Sequence, residues 1–91
     1  VSKFTNTFRG KPVLAGDSNL QVLHGFMLGA EHAGLVTIST YDGREAVDFR
    51  RFYFDDAADA WKPSIKGLRI PPAESKDIAI ALIRYAKEKS A

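Results

Sequence analysis

Tyr41 to Leu68 reads YDGREAVDFRRFYFDDAADAWKPSIKGL. Asp42-Gly43 separates two segments rich in β-branched and aromatic residues, a strong hairpin signal, because a two-residue turn needs positive φ and glycine supplies it at little cost. Upstream, Leu35 to Tyr41 alternates Val36 and Ile38 with Thr37 and Ser39; downstream, Arg44 to Phe54 forms the return strand. Its apolar residues fall at Val47 and Phe49, then at Phe52 and Phe54, so the period of two slips at Arg50-Arg51, as a β-bulge would make it do. Asp55 to Ala60 is the next turn. Trp61 to Ile70 is a further strand, which Pro63 assigns to an edge or a bend. Side chains that stack on bases alternate here with cations that neutralise phosphates, and the combination suggests a platform for single-stranded nucleic acid.

Leu20 to Gly29 is apolar and nearly continuous, a buried strand in which Gly25 marks a weak point or a bulge. Residues 1 to 19 are polar, punctuated by Gly10-Lys11-Pro12 and Gly16-Asp17-Ser18-Asn19, and read as an N-terminal arm preceding a domain of residues 20 to 91. Pro71-Pro72 ends the last strand and starts a helix, with Glu74 and Asp77 in its first turns and Arg84, Lys87 and Lys89 near its end. On that helix Ile78, Leu82 and Tyr85 share a face that Ala79, Ile83 and Ala86 widen to roughly half the circumference. One sheet surface does not need so wide a face. Ile78, Leu82, Ile83, Tyr85 and Ala86 are therefore expected at an interface with a second copy.

Ninety-one residues with 45% hydrophobic content make one small domain, for which oligomerisation is a natural support. Thirteen basic against eleven acidic residues give only +2, so distribution rather than net charge indicates the ligand. Residues 57 to 72 hold Lys62, Lys66 and Arg69 against Asp59, and Arg44, Arg50 and Arg51 precede them. The absence of cysteine excludes disulfides and thiolate chemistry. Asp55, Asp56 and Asp59 lack the glycine and terminal glutamate of a calcium loop, and His24 and His32 form no metal-ligand pair. Ser39, His32 and Asp48 lack a nucleophile elbow, and no phosphate-binding loop is present. The sequence thus reads as a non-enzymatic protein with no metal, cofactor or membrane span.

From Phe26 to about Lys87 the chain resembles the single-stranded-DNA-binding domain of the transcriptional coactivator family known as positive cofactor four. Phe26-Met27-Leu28-Gly29 is similar to that family's first strand, and Val36 to Arg44 to its second strand and hairpin. Val47-Asp48-Phe49-Arg50-Arg51-Phe52-Tyr53 matches its apolar-Asp-apolar-Arg-x-aromatic-aromatic hallmark, and Lys62-Pro63-Ser64-Ile65-Lys66-Gly67-Leu68 its Lys-Pro-x-x-Lys-Gly-apolar signature. The last two motifs in tandem are specific; either alone is weak.

The resemblance implies an α+β fold, four antiparallel strands in a curved sheet followed by one C-terminal helix, dimerising through the helices. It implies single-stranded DNA as partner, together with transcription machinery, in the nucleus of a eukaryote, the cytoplasm or nucleoid of a bacterium or phage, or an organelle. Tyr41 and Tyr53 occupy its base-stacking positions, and Arg44, Arg50, Lys62 and Lys66 its backbone-contacting ones. Trp61 reads as packing rather than as a base platform, and Asp48 as the partner of a neighbouring cation. The chain departs from the family at Asp42, at His32 and Gly34, where basic residues are common, and at Tyr53, which replaces a tryptophan. Two other readings stay open: single-stranded RNA on the same platform, and a protein-interaction module that has lost nucleic acid binding.

Overall fold

Asp42 and Gly43 both have positive φ, 52° and 73°, and close the tight turn between β4 (His32–Tyr41) and β5 (Arg44–Asp55). The computed structural model describes residues 5–15 and 20–90; the Gly16 to Asn19 run lies outside them. β3 (Gln21–Met27) pairs with β4 on one side, and β6 (Ala60–Ile70) pairs with β5 on the other. The result is a four-stranded antiparallel sheet in sequential order. A short 3-10 turn (Pro72–Glu74) then leads into helix α1 (Ser75–Ser90). Proline suits this start because it lacks the N–H that a helix beginning leaves unpaired. Ser75 Oγ donates back to the Pro72 carbonyl at 2.6 Å.

The phase slip in β5 has a different cause from the expected insertion. β5 pairs with β4 without interruption from Tyr41↔Arg44 to His32↔Tyr53. The irregularity lies against β6, where Arg50↔Gly67 is followed by Phe52↔Pro63, so the extra residues belong to β6. The apolar phase changes because the covered face changes along the strand. Val47 and Phe49 lie on the face that carries α1, whereas Phe52 and Phe54 lie on the opposite face, under the N-terminal segment.

That segment is a hairpin of β1 (Thr7–Phe8) and β2 (Lys11–Pro12), turned at Arg9-Gly10. It spans the sheet from edge to edge. Thr5 bridges Val22 on β3, Val13 bridges Trp61 on β6, and Leu14 N–H donates to the Trp61 carbonyl at 2.9 Å. Phe52, Leu35, Ala33, Trp61, Val13 and Leu20 form the buried core beneath it. Trp61 is met edge-on by Phe8 at 5.6 Å and by Phe54 at 5.2 Å, and its indole N–H donates to the Phe8 carbonyl at 3.1 Å. Each ring pair of this kind is worth about 0.5–1.5 kcal/mol beyond area burial. Gly25 proves to be a seat for Phe8: a Cβ there would lie 2.4 Å from the ring. The register shift in β3 falls just before it, between Val22 and His24.

Candidate nucleic-acid interface

Because strand side chains alternate, the register divides the expected binding residues between the two faces. On the α1 side, Tyr53 lies opposite His32 on β4 and Lys62 on β6. The three form a cross-strand row, with Tyr53 39% exposed. Lys62 Nζ sits 2.8 Å from Asp55 Oδ2. The Lys62 ammonium and the N–H groups of Ala58 and Ala57 hold the Asp55 carboxyl below the usual carboxylate range, and Asp55 in turn pushes the Lys62 ammonium up. Asp55 thus caps the turn after β5 and tethers a binding candidate.

Arg50 lies on the opposite face and is anchored from three directions. Its Nε donates to Asp48 at 3.2 Å, its Nη1 donates to the Ser64 carbonyl at 2.9 Å, and its stem lies on Gly67. A Cβ at residue 67 would sit 2.7 Å from Arg50 Cγ. Ser64 completes the arrangement: its hydroxyl donates to the Arg51 carbonyl at 2.9 Å and accepts from Lys66 N–H at 3.1 Å. These bonds replace the ladder partners that the extra residues interrupt. The Lys-Pro-x-x-Lys-Gly spacing therefore has a structural reason. Lys62 precedes the bulge and Lys66 is its last residue, serine pins it, and glycine just after it admits the arginine. Asp48 is 8% exposed and receives a second guanidinium from β6: Arg69 Nη1 stands 3.9 Å from Asp48 and donates to Ser39 Oγ at 3.0 Å.

Lys66 and Arg44 are exposed and make no ion pair among the described residues. Lys66 lines a groove with Phe26, Phe49 and Arg51 on the α1 side. Arg44 stands beside the Asp42-Gly43 turn, paired across it with Tyr41. The side chain of Tyr41 lies outside the described residues. Sequence reasoning missed Arg51, Phe26 and the His32 end of the tyrosine row. The hallmark motif contains Arg51, but only the register shows that it shares a face with Tyr53.

Helix α1 has no buried residue. Ile78, Ala79 and Leu82 face Val36, Ile38, Val47 and Phe49 across an open groove of about 500 Å³. Ile83 and Tyr85 are 53% and 59% exposed, and Ala86 is exposed beside them. The radius of gyration is 14.0 Å, against about 12 Å for a compact chain of this length. The helix therefore stands off its own sheet. Among the described residues, no three His, Cys, Asp or Glu side chains are grouped to hold a metal ion, and no helix is long and apolar enough to cross a membrane.

A family model for Transcriptional Coactivator p15 (PC4) matches residues 34–79, just over half of the chain. The chain belongs to the PC4 family. This is a family of single-stranded-DNA-binding transcriptional coactivators without enzymatic activity. The PC4 match contains Tyr41, Arg44, Arg50, Tyr53, Lys62 and Lys66, together with Asp48 and the Ser64 bulge. The N-terminal hairpin and most of α1 lie outside it. Comparison with curated proteins and with solved structures gave no match.

Proposed function

We propose that this PC4-family protein binds single-stranded DNA with little sequence preference, by base stacking and phosphate neutralisation, and so regulates transcription or protects melted DNA. The observation that carries this reading is the row of His32, Tyr53 and half-buried Lys62 on a sheet surface, with Lys66, which makes no ion pair among the described residues, at the end of the β6 bulge. Aromatic faces tolerate any base, and alanine substitution of such a platform costs about 1–3 kcal/mol per base. Each neutralised phosphate on a single strand adds about 0.7 to the slope of log affinity against log salt. Lys62 and Arg50 already hold carboxylates, so Arg44 and Lys66 carry most of the free charge.

The test is fluorescence anisotropy with labelled oligonucleotides of about twenty nucleotides, single-stranded and duplex, DNA and RNA, at two salt concentrations. Salt-sensitive preference for single-stranded DNA is expected. Tyr53→Ala should weaken binding about fivefold to a hundredfold at every salt concentration, and Lys66→Ala should lower the salt slope by about 0.7. Equal binding of RNA would transfer the site to RNA, and no binding at low salt would leave a protein-interaction module.

We propose in addition that the molecule is a homodimer joined through α1, with Ile78, Leu82, Ile83, Tyr85 and Ala86 at the interface. The support is a helix whose apolar side is unburied next to an apolar sheet groove, and no other described segment is available to cover it.

A further inference from the structure

We infer that Arg69 is a phosphate-binding residue for the single strand, extending the site onto the face of the sheet opposite Tyr53 by way of the β6 edge. The inference rests on the proposed single-strand reading and deepens it.

The β6 register places Arg69 across from Asp48, two positions beyond Gly67, which faces Arg50. Arg50 and Arg69 therefore flank one carboxylate on one face. Asp48 is engaged more closely by Arg50, at 3.2 Å, than by Arg69, at 3.9 Å. Arg69 Nη1 is further fixed by Ser39 Oγ at 3.0 Å. Two guanidiniums against one carboxylate leave one positive charge in excess. It lies on Arg69, whose side chain is 41% exposed, against 19% for Arg50. Arg44 shares this face by alternation and adds a second exposed cation.

The rest of the face is closed to a ligand. Phe8 and Val13 of the N-terminal segment occupy the ground over Leu35, Phe52 and Trp61. A strand reaching this side is thus confined to the Arg44, Arg50 and Arg69 portion. A part-exposed guanidinium held on one nitrogen by a serine is preorganised for a phosphodiester oxygen: holding it costs little further side-chain ordering, and its planar fork matches the anion. A guanidinium on a phosphate oxygen reads no base edge, so the contact contributes affinity and salt dependence rather than sequence preference.

The experiment compares the full chain with Arg69→Gln and Arg69→Lys, using anisotropy of a labelled twenty-nucleotide thymidine oligomer between 50 mM and 1 M salt. Glutamine keeps a donor for Ser39 and removes the charge; lysine keeps the charge. For Arg69→Gln the expected results are a salt slope lower by about 0.7 and an affinity about eightfold weaker at 50 mM salt, the difference vanishing near 1 M. Arg69→Lys should keep the wild-type slope. All three proteins should melt within a few degrees of one another. If wild type binds and Arg69→Gln shows the same slope, the inference is wrong while the single-strand reading stands. A uniform loss of affinity at every salt concentration, with a lowered melting temperature, would make Arg69 a structural residue only. A wild type that binds no single strand overturns both.

Discussion

Lys62 illustrates how one neighbour changes what a candidate binding residue can do. Its ammonium is held by Asp55 at 2.8 Å, so a phosphate must compete with a carboxylate for it. Asp55→Asn releases the lysine and removes the competing charge. One further cation on the strand should raise the salt slope by about 0.7 and the affinity about fivefold at 0.1 M salt. The pH dependence follows from the directions of the two shifts. The Asp55 value is lowered in the folded protein, so the pair's contribution is present above the ordinary carboxylate value near 3.9 and is lost as pH falls through the lower folded value. The Lys62 value is raised, so its contribution is whole below the ordinary lysine value near 10.4 and is lost as pH rises through the higher folded value. Wild type and Asp55→Asn should therefore differ in affinity throughout the neutral range and converge in acid as Asp55 itself takes up a proton. A difference that persists unchanged after that protonation would refute the tether. Which carboxylate holds which cation could not be read from the chain, because Asp55 and Lys62 meet only when the turn between β5 and β6 folds back.

The β6 bulge is where motif and geometry meet, and where stability and binding are coupled. Gly67→Ala places a methyl group 2.7 Å from Arg50 Cγ and Cζ, and overpacking of this kind costs about 1–3 kcal/mol. Thermal denaturation should show that loss, and displacement of Arg50 should also loosen the Ser64 carbonyl it holds. Ser64→Ala, which removes the hydroxyl bonds to Arg51 and Lys66, should cost about 1 kcal/mol and leave Lys66 less well placed, so its single-strand affinity should fall further than its stability. Elements whose signals are local were legible from sequence: the Asp42-Gly43 turn, the alternation of Leu35 to Tyr41, and the proline-led helix start. The break at Arg50-Arg51 was legible as a break, but its cause was not. Each half of β5 buries a different face, one toward α1 and the other under the N-terminal segment, and that segment's role depends on bridges to Val22 and Trp61. The two-residue strands β1 and β2 are too short for periodicity to betray. The site's division between two faces was hidden for the same reason, since it follows from register rather than from motif.

At the scale of the molecule, the open groove beside α1 predicts assembly. Leu82→Glu puts a charge into the apolar face that lines the groove and should convert a dimer to a monomer in sedimentation velocity, with helix content retained. A dimer that survives this change is not joined through this part of the helix. Single-strand binding by the monomer should weaken if both sheets grip one ligand, and should stay the same per subunit if each sheet acts alone. The N-terminal segment acts differently, because it joins one edge of the sheet to the other. The Trp61 indole that holds Phe8 lies 53 residues further along the chain. At about 5–20 residues per second of synthesis, Phe8 therefore leaves the ribosome roughly 3–10 s before its anchor does. Val13 waits almost as long for its place beside the same tryptophan. Through that interval the first hairpin to be made can dock only at its β3 end, on Val22 and the Gly25 seat, so a nascent chain stalled before β6 would hold its hairpin by one edge of the sheet and leave the other side of its phenylalanine open to chaperones and to neighbouring chains.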